Sequence, residues 1–164
     1  MHRIFIAINL PEGVKKSLAS RIERWEESVP ARWMKKENLH IVVEFIGNCS
    51  DQEVLDVIDE TREKMRSLAS FNVKLNKIVY APPGKAVPQM IWATGDKISE
   101  LGLVPHITLA RIRKWEWQKI DPEERVLIDQ DINLEFEVNG VEVMESFLKK
   151  GGPEYEILES IPLL

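Results

Sequence analysis

The apolar positions follow two periods that alternate along the chain. Ile4-Phe5-Ile6-Ala7-Ile8 is a short continuous run ending near Leu10, the pattern of a buried strand, and Pro11 closes it. Pro11-Glu12 then opens a helix that places Val14, Leu18, Ile22 and Trp25 on one face at steps of three or four. Arg32-Trp33-Met34 predicts a short strand, and residues 39–46 a strong one stopped by Gly47-Asn48. Ser50, with Glu53 three residues on, has the form of a capping box. Val54, Val57, Ile58, Thr61, Met65 and Leu68 carry the helix that follows to residue 69.

Three more strands are expected over 71–80, 89–94 and 106–112, with a Pro-Pro-Gly loop after the first. Asp121-Pro122-Glu123-Glu124 starts a short helix. Residues 132–138 and 140–148 read as a hairpin turning at Asn139-Gly140, and Gly151-Gly152 turns into a last strand through Tyr155, Ile157 and Leu158. Between Thr94 and His106 there is room for one or two helical turns at most, the lower limit for a crossover between parallel strands. Strands alternating with helices give an α/β or α+β class.

Composition narrows the function more than the fold. A chain of 164 residues with 44% hydrophobic and 30% charged residues has the balance of an ordinary globular protein, and 1–164 is expected to form a single domain. The one cysteine, Cys49, excludes an internal disulfide and has no His/Cys cluster around it to bind a metal; it reads as a small apolar residue. The apolar runs are too short for a signal peptide or a membrane span, so a cytoplasmic, monomeric protein with no membrane contact is expected. A net charge of −5 excludes a protein that grips long duplexes by charge alone. Any nucleic-acid contact must be local, as with one strand end held in a cleft.

The chain has three histidines. His2, beside the terminus, is expected to be exposed and inert. The other two stand in matching frames, Leu39-His40-Ile41-Val42-Val43 and Pro105-His106-Ile107-Thr108-Leu109. Residues i and i+2 of a strand share a face, so His106 projects with Thr108 and His40 with Val42. This weak internal repeat, offset by 66 residues (40 to 106), suggests two lobes about a pseudo-twofold axis. A lone histidine on an apolar strand is ordinarily a packing residue; two in matching frames, one with a hydroxyl two residues on, point to chemistry.

The chemistry such a pair suits is the opening of a 2′,3′-cyclic phosphate. One group must take a proton from water and another must protonate the departing oxygen, and imidazole does both near neutral pH. A hydroxyl beside them can donate to a non-bridging phosphate oxygen, where charge accumulates in the transition state. The scheme needs neither metal nor cofactor. The pattern alone does not say which histidine is acid and which is base.

At these residues the chain resembles the bacterial and archaeal RNA 2′,3′-cyclic phosphodiesterases, also called 2′-5′ RNA ligases, of the two-histidine phosphoesterase superfamily. Asn38-Leu39-His40-Ile41-Val42-Val43-Glu44-Phe45-Ile46-Gly47 resembles the family's first H-x-[ST]-x motif, and Pro105-His106-Ile107-Thr108-Leu109-Ala110-Arg111 its second. Arg3 to Ile8 before Pro11 resembles its opening strand, and Ser146 through Gly151-Gly152-Pro153-Glu154-Tyr155 its closing hairpin. The resemblance implies an α+β fold of two lobes, with antiparallel-rich sheets forming a central cleft and helices outside. It implies hydrolysis of RNA 2′,3′-cyclic phosphate ends to 2′-phosphates, with reversible 2′-5′ joining as a further capacity. By the same analogy His40 is the proton donor, His106 the acceptor, and Thr108 and Arg111 bind phosphate. On a regular strand Arg111 faces away from His106, so only a twist or bulge brings it to the cleft.

The chain departs from the family pattern in two places. Val42 stands where the first motif has Thr or Ser, leaving the corresponding phosphate-binding position without its hydroxyl. Relatives also carry a further, largely helical segment before the second motif, where this chain has only residues 95–105. These departures define the alternative, a non-catalytic RNA-end or nucleotide binder; a phosphoesterase of small cyclic nucleotides is a third reading. Arg111, Arg113, Lys114, Trp115 and Trp117, with Arg32-Trp33, interleave basic and aromatic residues of the kind on which single-stranded bases stack, though such tryptophans more often pack.

Overall fold

A computed structural model describes the whole chain, Met1–Leu164. The elements run β1 (His2–Asn9), α1 (Glu12–Glu23), β2 (Ala31–Trp33), β3 (His40–Cys49), α2 (Asp51–Met65), β4 (Phe71–Ala81), β5 (Met90–Gly95), β6 (His106–Ile112), α3 (Lys114–Gln118), β7 (Asp129–Val138), β8 (Gly140–Lys149) and β9 (Gly152–Pro162). Short 3₁₀ turns occupy Lys36–Asn38 and Pro122–Glu124. The capping box forms as the sequence predicts: the Glu53 amide donates to Ser50 Oγ at 3.2 Å, and the Ser50 amide donates to Glu53 Oε1 at 3.1 Å.

The strands make two sheets, a four-stranded one in the order β3-β1-β8-β9 and a five-stranded one in the order β2-β6-β5-β4-β7. Every pair is antiparallel, which settles the class as α+β. One continuous apolar cluster draws on both sheets, including Ile4, Ile6 and Ile8 of β1 and Ile91, Ala93, Ile107 and Leu109 of β5 and β6. α1 adds Val14, Leu18 and Ile22, and α2 adds Val54 and Met65. The alternate residues of these strands face the other way. On β1 they are Phe5 and Ala7, which form a separate small cluster with Met144. Each sheet thus gives one face to the core and leaves the other to line a cleft.

Several sequence expectations change. Asn139-Gly140 is no hairpin, because β7 pairs with β4 in the five-stranded sheet while β8 pairs with β1 and β9 in the other. The chain changes sheets at this point, and a Cβ on Gly140 would lie 2.7 Å from the Ile161 carbonyl oxygen. β3 does not stop at Gly47-Asn48; Gly47 takes a φ of +96°, open to glycine, and the strand runs on to pair Cys49 with His2. α2 ends at Met65, short of residue 69. Asp121 leads only into the 3₁₀ turn, and the short helix α3 precedes it.

The connection 95–105 needs no crossover, because β5 and β6 are adjacent antiparallel strands. Ile98 and Leu103 close a tight turn within it, the Ile98 amide donating to the Leu103 carbonyl at 2.7 Å. Thr94 Oγ1 donates to the Pro105 carbonyl at 2.7 Å and holds the entry to β6 beside β5.

Candidate active site

Two bulges, one in each motif strand, set which residues beyond the histidines face the cleft. In the pairing of β6 with β5, Thr108 lies opposite Trp92 and Ala110 opposite Ile91, so Leu109 is an extra residue. In the pairing of β3 with β1, Val42 lies opposite Ala7 and Glu44 opposite Ile6, so Val43 is extra. An extra residue reverses the alternation beyond it. His106, Thr108 and Arg111 therefore share one face, as do His40, Val42 and Phe45, with the same spacing and the same offset of 66 residues (43 to 109 for the bulges). The bulge that Arg111 required is present, and the pseudo-twofold relation extends from the motifs to their irregularities.

The two faces meet at a cavity of about 100 Å³ lined by His40, Val42, His106, Thr108 and Arg111, together with Met34, Asn38 and Tyr155. All five residues singled out from the sequence are thus brought together. A wider groove of about 370 Å³ opens beside it and shares Met34, His40, Val42, Arg111 and Tyr155 with it.

The two imidazoles are held differently. His40 Nδ1 is 2.6 Å from the Asn38 carbonyl oxygen, close enough to donate to it, which leaves Nε2 free for a substrate. The Asn38 side chain in turn donates to the Pro153 carbonyl at 3.0 Å and ties this anchor to the β8–β9 turn. The ring stacks on Phe5 with centroids 5.1 Å apart and meets Tyr155 edge-on at 4.9 Å. Burial among these rings holds the His40 pKa below the usual 6.5; the Asn38 hydrogen bond works against that shift, and the positive charge of Lys15 adds to it. His106 stacks on Trp92 at 4.3 Å. Arg111 lies at the mouth, with Nη1 3.8 Å from Met90 Sδ. Burial also raises the Tyr155 pKa, while Arg111, Arg3 and Arg32 pull the other way.

Sequence reasoning gave no part to Phe5, Trp92, Asn38 or Tyr155 in holding the histidines. Asn38 and Tyr155 stood inside the motif segments, and only strand register shows what they touch. His2 is half-buried where exposure was expected: its ring nitrogens lie 2.5 Å from Asp51 Oδ1 and 2.9 Å from Glu145 Oε2, which raises its pKa above 6.5. Cys49 is buried at the end of β3, as a small apolar residue would be. Of the tryptophans beyond the second motif, Trp117 is a packing residue, 7% exposed, with Arg125 over its ring at 4.0 Å and Tyr80 edge-on to it; Trp115 is 81% exposed. No helix is long and apolar enough to cross a membrane.

Comparison with known proteins agrees with this architecture. The family model of LigT-like phosphoesterases matches residues 8–92, just over half of the chain. The RNA 2′,3′-cyclic phosphodiesterase of Methanocaldococcus jannaschii is 27% identical over 177 aligned positions, covering 96% of this chain and 98% of that protein. An alignment longer than the 164 residues here means that the relative carries additional residues. The crystal structure of TT0787 of Thermus thermophilus superposes with a TM-score of 0.84 at 24% identity, covering 98% of this chain and 97% of that one. Escherichia coli LigT complexed with 3′-AMP superposes with a TM-score of 0.72 at 19% identity, covering 99% and 97%.

Proposed function

Because the chain belongs to the LigT-like phosphoesterase family, we propose that it hydrolyses the 2′,3′-cyclic phosphate at an RNA end to a 2′-phosphate, without a metal. The observation that carries this reading is the single small cavity lined by both imidazoles, the Thr108 hydroxyl and Arg111. Those groups supply two proton-transfer sites and two anion donors, which together suffice for in-line attack by water on a strained phosphodiester. The name of the M. jannaschii relative supports the substrate.

In this reading His106 takes the proton from the attacking water and His40 gives one to the departing 3′-oxygen. Thr108 and Arg111 bind the non-bridging oxygens. With Nδ1 donating to the Asn38 carbonyl, His40 has only Nε2 to offer the leaving oxygen, and the rings of Phe5 and Tyr155 fix the plane of the imidazole. Its lowered pKa favours the neutral form of His40 in the empty site. A bound phosphodiester, an opposite charge within a few ångströms, favours the imidazolium again. The ligation direction reverses the same two transfers, and the protein acts as a monomer within a single domain.

That same lowered pKa favours a second assignment, with His40 as the acceptor and His106 as the donor. An oligonucleotide whose cyclic phosphate carries sulfur at the 3′ position separates the two, because a thiolate leaves without a proton. If His40 is the donor, His40→Ala recovers activity on the sulfur substrate and His106→Ala does not; the opposite rescue reverses the roles. The primary test is turnover of an oligonucleotide ending in a cyclic phosphate, in the presence of EDTA, with release of the 2′-phosphate. Binding without turnover identifies the non-catalytic alternative, and full turnover by His106→Ala refutes the assignment.

A further inference from the structure

Three arginines gather in the groove beside the cavity with no carboxylate to balance them. Arg3, Arg32 and Arg111 all line it, and no Asp or Glu does, in a chain whose net charge is −5. None of the three is within ion-pair distance of an acidic side chain anywhere in the protein. Arg32 and Arg111 are direct cross-strand partners in the pairing of β2 with β6. Like charges in that relation destabilise a sheet unless something negative lies between or beside them.

The fold nevertheless makes a place for each. The β8–β9 turn passes so close to Arg32 that a Cβ on Gly152 would sit 2.8 Å from Nη2, and Gly152 takes a φ of +120°. Arg3, on β1 of the four-stranded sheet, lays its guanidinium 5.2 Å from the centroid of the Phe45 ring on the neighbouring β3. Phe45 holds the place in the first lobe that Arg111 holds in the second, so Arg3 brings a guanidinium to the matching side of the cleft. Arg111 also lines the inner cavity, whereas Arg3 and Arg32 line only the outer groove.

We propose that Arg3 and Arg32 bind the phosphodiester one nucleotide upstream of the reacting cyclic phosphate, so that the preferred substrate is an RNA strand end and not a mononucleotide. This rests on the hydrolytic reading above and extends it by one nucleotide. The reacting phosphate occupies the inner cavity, and the backbone leaves it through the groove in which the two outer guanidinium groups stand. An anion there relieves the repulsion between Arg32 and Arg111 and gains charge-assisted hydrogen bonds from both sheets.

The test compares three substrates with the wild-type protein: a mononucleoside 2′,3′-cyclic phosphate, a dinucleotide ending in a cyclic phosphate, and the same dinucleotide with an uncharged methylphosphonate linkage. One charge-assisted contact predicts a preference in kcat/KM of at least about tenfold for the charged dinucleotide. The uncharged dinucleotide is expected to behave like the mononucleotide. Arg32→Gln and Arg3→Gln should each shrink the ratio of dinucleotide to mononucleotide activity. A methylphosphonate as good as the phosphodiester, or variants that leave the ratio unchanged, overturns the proposal. If the wild-type protein turns over none of the three, hydrolysis fails as a reading, and the arginine proposal is decided by binding of the matching 2′-phosphorylated products. The charged dinucleotide must then bind tighter than the uncharged one, and equal affinities overturn it.

Discussion

Replacing Val42 by threonine adds one hydroxyl to the wall of the cavity that Val42 shares with Thr108. Val42 and Thr108 occupy the same position relative to their histidine and to the bulge that follows, so the new Oγ1 should bear on the phosphate from the opposite lobe. The two side chains have nearly the same shape. Val42 is half-buried against the cluster of Phe5, Ala7 and Met144, and exchanging one partly buried methyl for a hydroxyl costs stability of about 0.5 kcal/mol. A hydrogen bond to a charged oxygen contributes about 1.5–3 kcal/mol. At about 1.4 kcal/mol per factor of ten, Val42→Thr should raise kcat/KM by about 10- to 150-fold. The assay is hydrolysis of an oligonucleotide 2′,3′-cyclic phosphate in EDTA, separating the 2′-phosphate by chromatography, with thermal melting to show that the variant is folded. A folded variant that is no faster than wild type refutes the equivalence of the two positions and the reasoning from the repeat.

Thr108→Val should lower kcat/KM by the same factor of about 10 to 150, measured in that assay, because it removes the hydroxyl already present. The pKa of His2 is raised by Asp51 and Glu145, so its contribution to stability is complete below 6.5 and is lost as pH rises through the higher folded value. The melting temperature of His2→Gln should therefore lie below that of wild type at about pH 5.5 and converge with it in alkali, with high salt shrinking the difference. His40 has the opposite sign: its pKa is lowered, so its contribution is present above 6.5 and is lost as pH falls through the lower folded value, a dependence that His40→Gln should abolish in the same melts. Gly95→Ala should destabilise by about 3 kcal/mol in urea unfolding, since a Cβ there would lie 1.7 Å from the Lys74 carbonyl oxygen and only backbone movement can relieve it.

Most elements were legible because their signals are local. The run from Ile4 to Ile8, the stripe of Val14, Leu18 and Ile22, and the Ser50–Glu53 box each lie within a few residues and declare strand, helix and cap. The failures share a cause. Asn139-Gly140 has the composition of a hairpin turn, but whether two strands pair depends on which sheet each joins, and β7 and β8 join different ones. Gly47 reads as a stop, yet it takes a positive φ beside a register shift in a strand that continues, because His2 and Arg3 are there to pair with Cys49 and Asn48. The short connection 95–105 stood at the limit for a crossover only while β5 and β6 could have been parallel.

The sequence by itself determined the chemistry that the site can hold: two imidazoles in matching frames, and a hydroxyl two residues and an arginine five residues past the second. Those are properties of residue types at fixed spacing, and no folding is needed to see them. Tertiary structure decided which residues face one another, through the bulges at Val43 and Leu109 that turn Phe45 and Arg111 into the cleft. It decided also that Phe5 and Tyr155 enclose one imidazole and Trp92 underlies the other. Register between distant strands comes from the packing of the whole core, in which a shift of one residue reverses every side chain, and no local pattern carries that information.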